Sequence, residues 1–82
     1  MLTVSVVSPE RTFFEGQAES IVAPAFDGQV GILTSHAPML TLLGSGELRL
    51  TTGGAVRSFT VSGGFLEVAD DRVRIVTERA DG

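Results

Sequence analysis

Neither cysteine nor lysine occurs in the 82 residues of the chain. Without cysteine there is no disulfide and no thiolate metal site, which fits a reducing compartment. Without lysine there is no Walker phosphate loop. All six basic residues are arginine, a bias that codon usage would produce as readily as selection for bidentate pairing. They are outnumbered by ten acidic residues, for a net charge of −4, so the chain lacks the basic surface that nucleic acid requires. No stretch approaches the roughly 20 apolar residues of a membrane-spanning helix. Met1-Leu2-Thr3-Val4 has neither the basic start nor the apolar run of a signal peptide. A soluble chain follows, one that would meet a membrane only through another protein. Helical spacing is missing as well: no window of about 11 residues repeats at 3.6.

What is present is a period of two. Leu2, Val4 and Val6 alternate with Thr3 and Ser5. Leu48 and Leu50 alternate with Glu47, Arg49 and Thr51; Val73 and Ile75 alternate with Arg72 and Arg74. Phe59 and Val61 oppose Ser58 and Thr60, and Ile21 and Ala23 alternate less cleanly. Such alternation marks half-buried strands. Turn signals separate these runs: Ser8-Pro9-Glu10, Glu15-Gly16, Asp27-Gly28, Gly44-Ser45-Gly46, Thr52-Gly53-Gly54, Ser62-Gly63-Gly64 and Asp70-Asp71. Thr52-Gly53-Gly54 and Asp70-Asp71 read as hairpin turns, the former joining strands near 46–51 and 55–61. Val73 to Thr77 reads as the last strand, with Glu78 to Gly82 a mostly polar tail. Apolar residues at 43% and charged residues at 20% suit one small globular domain over residues 1–82. The fold class is all-β, a sandwich or barrel.

Residues 27–43 depart most from this pattern. They hold the only histidine, His36, together with Pro38 and the spaced glycines Gly28 and Gly31. Ser35 and Asp27 lie near His36 in sequence, but adjacency does not make a catalytic triad, and no nucleophile elbow is present. A single histidine without cysteine cannot supply the three or four ligands of a metal site, and a hairpin explains Asp70 and Asp71 better than a cation does. No catalytic, metal or cofactor residue is assigned. Gly28, Gly31, Gly44 and Gly46 read as tight turns and close backbone approaches. The five phenylalanines read mainly as core. Phe13 and Phe14 are adjacent, so on a regular strand they face opposite ways. Residues 38–43 are apolar at alternate and intervening positions alike, Thr41 excepted. Since each sheet of a sandwich has one outer face, that composition favours a strand covered by another chain.

Four segments together resemble a known family. They are Val6-Val7-Ser8-Pro9-Glu10, Phe14-Glu15-Gly16, the run from Asp27-Gly28-Gln29-Val30-Gly31-Ile32 through Ser35-His36-Ala37-Pro38-Met39-Leu40, and Val61-Ser62-Gly63-Gly64-Phe65-Leu66-Glu67-Val68. Their order and spacing resemble the N-terminal β-sandwich domain of ATP synthase epsilon subunits over essentially the whole chain. The resemblance implies a flattened sandwich of two antiparallel sheets with about ten short strands. It implies a non-catalytic subunit of the rotor, or central stalk, of the F-type proton-translocating synthase, peripheral at the cytoplasmic face of a bacterial membrane. The implied partners are the gamma subunit, through His36, Ala37, Pro38, Met39 and Leu40, and the ring of membrane c subunits, through the turn Asp27, Gly28 and Gln29. Where the family often has glutamate in that turn this chain has Gln29, so the pairing with a basic ring loop would rest on Asp27 or on hydrogen bonds. Typical bacterial members continue into a C-terminal helical hairpin that inhibits hydrolysis and in some binds ATP. The sequence ends at Gly82, where that hairpin would begin, so those roles are not carried over and no helical domain is expected.

Two other classes of function compete. A small β-barrel ligand-binding module would need inward polar groups, yet the alternating positions Leu48, Leu50, Val73 and Ile75 are apolar. An enzyme would have to be built around His36.

Overall fold

The alternating segments form eight strands and no helix in a computed structural model that describes residues 1–81. They are β1 (Leu2–Val7), β2 (Thr12–Ala18), β3 (Ser20–Ala25), β4 (Gly28–Leu33), β5 (Met39–Leu42), β6 (Ser45–Thr52), β7 (Ala55–Ala69) and β8 (Arg72–Asp81). The hydrogen-bonded order is β2-β1-β8-β7-β6-β3-β4, with β5 pairing β7. All neighbours are antiparallel except β1 and β8, which run parallel. The expected sandwich is present, but its two layers belong to one sheet that folds over on itself without closing. Its extents of 26 × 23 × 20 Å are accordingly only slightly flattened.

The fold-over occurs at Gly63 and Gly64. Residues 55–62 of β7 pair with β6, whereas residues 65–68 pair with β5. Phe59 and Val61 are buried before the glycines, Leu66 and Val68 after them. The buried phase therefore switches from odd to even positions as the strand passes from one layer to the other. The two glycines permit this with φ values of 72° and 106°, a region side-chain-bearing residues rarely adopt. Ser62-Gly63-Gly64 is thus a bend within a strand rather than a turn, and Glu15-Gly16 likewise lies inside β2. Neither segment breaks a strand, and the described residues form eight strands where the resemblance implies about ten.

The expected polar tail is also strand. Arg79, Ala80 and Asp81 pair with Ser62, Val61 and Thr60. Ladder bonds need only backbone, so a polar sequence can extend a strand whose partner is already in place. Gly82 lies outside the described residues. Both expected hairpins are present, with Gly53 and Gly54 at φ 58° and 82° and Asp70 and Asp71 at 51° and 58°, as two-residue turns of this hand require.

The core takes the inward residues of both layers. Leu2, Ile32, Leu48, Leu50, Leu66 and Ile75 are wholly buried, each contributing about 1.5–3 kcal/mol by its removal from water. Thr77 is the one buried polar residue among those described, and its hydroxyl donates to the Arg79 carbonyl at 2.7 Å. A bulge between Val6 and Val7 sets Phe14 opposite Val6 and Thr12 opposite Val7, leaving Phe13 as the extra residue. Phe14 packs edge-on to Phe59 at 6.5 Å, and the Arg57 guanidinium lies over both rings. Arg11 covers Phe13 at 4.5 Å. Neither ring of the pair stands bare at the surface.

Candidate functional site

The distinctive stretch begins at the β3–β4 turn. Phe26, Asp27, Gly28 and Gln29 are all exposed, and Gly28 adopts φ 136°. β4 then carries the chain away over six residues, roughly 20 Å of extended strand, to the loop holding Ser35 and His36. That length separates Asp27 from His36 and removes the triad reading. Among the described residues no group of three or more His, Cys, Asp or Glu side chains gathers as a metal site.

The loop between β4 and β5 is itself ordered by backbone bonds. The His36 amide donates to the Leu33 carbonyl at 3.2 Å, closing a turn with Ser35 at φ 68°. The Ser35 amide donates to Asp71 Oδ1 at 2.6 Å. The half-buried His36 ring places Nδ1 2.6 Å from the Ala37 carbonyl oxygen, so in this contact Nδ1 carries the proton. Ala37 and Pro38 are exposed.

β5 then runs back beside β7. Met39 and Thr41 are half-buried, while Leu40 and Leu42 point outward with 68% and 62% of their surface exposed. At its far end β5 meets the β3–β4 turn. The Phe26 amide donates to the Leu42 carbonyl at 3.1 Å, Ala25 bridges Leu43, and the Gly44 amide donates to the Pro24 carbonyl at 2.8 Å. Gly44 is required there, because a Cβ would lie 2.9 Å from the Ala25 carbonyl oxygen. Phe26 is 69% exposed. The fold thus joins the two groups singled out in the sequence. His36, Ala37 and Pro38 stand at one end of β5 and Phe26 to Gln29 at the other, with Leu40 and Leu42 between.

Strand register extends this edge across the sheet. Leu42 pairs with Phe65, Phe65 with Val76, and Val76 with Val7. Their neighbours Leu66, Ile75 and Val6 are buried, so these four residues form an apolar row on the outer face. Beside it runs a more polar row: Leu40, Glu67, Arg74, Ser5 and Glu15. The sequence reading missed Phe65, Val76, Val7 and Phe26. The signal available was the doubled apolar pairs Val6-Val7 and Ile75-Val76, which break the alternation. Gly31 resists explanation by turning or close approach: its φ is ordinary and a Cβ there would meet open space.

The model of the ATP synthase delta/epsilon chain β-sandwich domain matches residues 1–81. The ATP synthase epsilon chain of a Synechococcus species is 41% identical over 80 residues, covering 98% of this chain and 58% of the relative. The chloroplastic epsilon chain of Emiliania huxleyi is 44% identical over 80 residues, covering 98% and 62%. This chain therefore spans about 60% of the length of these relatives. Among solved structures, a chain in the cryo-EM structure of the Euglena gracilis mitochondrial ATP synthase, in its OSCP/F1/c-ring assembly, is similar in fold. It superposes with a TM-score of 0.90 at 24% identity, covering 98% of this chain and 52% of that one. With a family model that matches residues 1–81 and relatives of this identity, the chain belongs to the ATP synthase delta/epsilon chain β-sandwich family.

Proposed function

We propose that this chain acts as a non-catalytic subunit of the central stalk of an F-type ATP synthase, joining the gamma subunit to the membrane c-ring. In that role it supports the coupling of proton flow to ATP synthesis at the cytoplasmic face of a bacterial membrane. Family membership supports the reading. The observation that carries it is the continuous exposed edge from His36 through Leu40 and Leu42 to Phe26. Gamma would take the loop and strand His36, Ala37, Pro38, Met39 and Leu40, together with the apolar row ending at Val7. The turn Asp27, Gly28 and Gln29 would face the polar loops of the ring, with Asp27 carrying the charge. No helix of the described residues is long and apolar enough to cross a membrane, and attachment would be through the complex. A pocket between the layers, as a ligand-binding module would need, is disfavoured because apolar side chains fill that space.

The test is binding to the gamma subunit of the same synthase. The chain is expected to co-purify with gamma at micromolar concentration, burying an interface of roughly 1,200–2,000 Å². Leu42→Asp is expected to weaken binding at least about tenfold, as loss of a central apolar anchor does, while leaving the melting temperature within a few degrees. No complex between two folded partners, or equal binding by the variant, would count against the reading.

A further inference from the structure

The turn between β7 and β8 does more than reverse the chain. A two-residue turn with both positions left-handed favours glycine at the second, yet Asp71 occupies it at φ 58°. Asp70 is exposed, whereas Asp71 is half-buried and touches two other segments. Its carbonyl accepts the Thr3 amide at 2.8 Å, and its carboxylate accepts the Ser35 amide at 2.6 Å. Ser35 is itself left-handed, with no side chain that favours that conformation strongly. Two residues in uncommon backbone conformations, 36 positions apart in sequence, are thus joined by one short charge-assisted bond.

From this geometry we infer that Asp71 is a positioning residue for the docking edge. Its carboxylate clamps the Ser35 amide, holds the turn from Leu33 to His36 closed, and so fixes the angle at which His36 and β5 are presented. The inference rests on the docking reading for its functional consequence, but the clamp is separable from it. A turn residue with only a turning role would be replaceable by glycine without effect on a loop elsewhere in the chain. A clamp would not.

Three variants distinguish these cases. Asp71→Gly keeps the carbonyl to Thr3 and suits the left-handed turn, but removes the acceptor for Ser35. Asp70→Gly eases the same turn and leaves the acceptor. Asp71→Asn tolerates the conformation and retains a side-chain carbonyl. Amide exchange and the proton shift of Ser35 are read by NMR on the whole chain, and gamma affinity by titration. Asp71→Gly is expected to speed Ser35 exchange on the order of tenfold, since a bond to a charged group is lost, to move the Ser35 amide proton upfield, and to weaken gamma binding several-fold. Asp70→Gly is expected to change none of these, and Asp71→Asn to restore most of the affinity. Unchanged Ser35 exchange in Asp71→Gly would overturn the clamp. Faster exchange with unchanged gamma affinity would overturn the positioning role. If the unmodified chain does not bind gamma, the docking reading alone fails, and the exchange measurement still decides the clamp.

Discussion

A Cβ on Gly64 would lie 1.9 Å from the Val76 carbonyl oxygen, whereas one on Gly31 would meet nothing within 4 Å. Gly64 also holds φ 106° at the corner where β7 changes layer. Alanine there must move the backbone of β8 and adopt a strained conformation together. A cost of about 3 kcal/mol or more follows, which in a domain of this size lowers the melting temperature by more than about 12 °C. Gly31 lies in β4, an edge strand paired only with β3. Alanine in its place is expected to leave stability unchanged or raise it by up to about 1 kcal/mol, through a less flexible unfolded chain. Thermal unfolding of the two variants checks both expectations. In the sequence these two glycines read alike, as punctuation. What separates them is the position of Val76, a strand away, which only the folded register supplies.

At the scale of elements, the turn at Phe26 to Gln29 and the strand β5 act as one edge, although 10 or more residues separate them in sequence. Asp27 is the only charged group at that turn tip and is exposed. Reversing it with Asp27→Lys is expected to move stability by no more than about 0.5 kcal/mol, as for other surface positions. On the proposed function, in which this turn faces the c-ring, the same change is expected to weaken docking to the ring and reduce proton coupling in the assembled synthase, measured as ATP synthesis in membrane vesicles. A large fall in melting temperature would show instead that Asp27 has a structural role. The strands were legible because alternation reports which face is wet: Leu2, Val4, Val6, Leu48, Leu50, Val73 and Ile75 are buried as their spacing requires. The exposed edge along β5 was half legible. Residues 36–42 stand out locally, and the exposure of Leu40 and Leu42 agrees with their two-sided apolarity. The row through Phe65, Val76 and Val7 was not legible, because it exists only across strands, and register between distant strands leaves little local trace. Ser62-Gly63-Gly64 was read as a turn for a related reason. A glycine pair signals a change of direction, and sequence does not say whether the chain reverses or merely bends.

For the whole molecule, the parallel pair of β1 and β8 determines how the chain must assemble. Val4 lies against Val73 and Val6 against Ile75, so the first and last of the described strands lie side by side within the sheet. Bringing segments some 70 residues apart into register carries a loop-closure cost of about 4 kcal/mol beyond the constant term. Neither strand can bury its inward face without the other: Leu2, Val4 and Val6 share the core with Val73 and Ile75. β8 also contacts both layers through β7, so the two layers cannot complete their cores independently. Folding is therefore expected to be slow for the size of the chain, in the millisecond-to-second range of domains dominated by non-local strand pairing, and cooperative. Stopped-flow refolding should show one main phase. Val73→Ala should slow it or speed unfolding without producing a separately melting layer, and amide exchange in β1, β6 and β8 should share one global opening at low denaturant. Microsecond refolding, or a layer containing β3, β4 and β6 that melts alone, would show that the fold-over at Gly63 and Gly64 joins two independent sheets. A single cooperative unit is also what the proposed stalk role would require, since a load applied at the Asp27 turn would then reach the apolar row through Phe65 and Val76 without a weaker layer yielding between them.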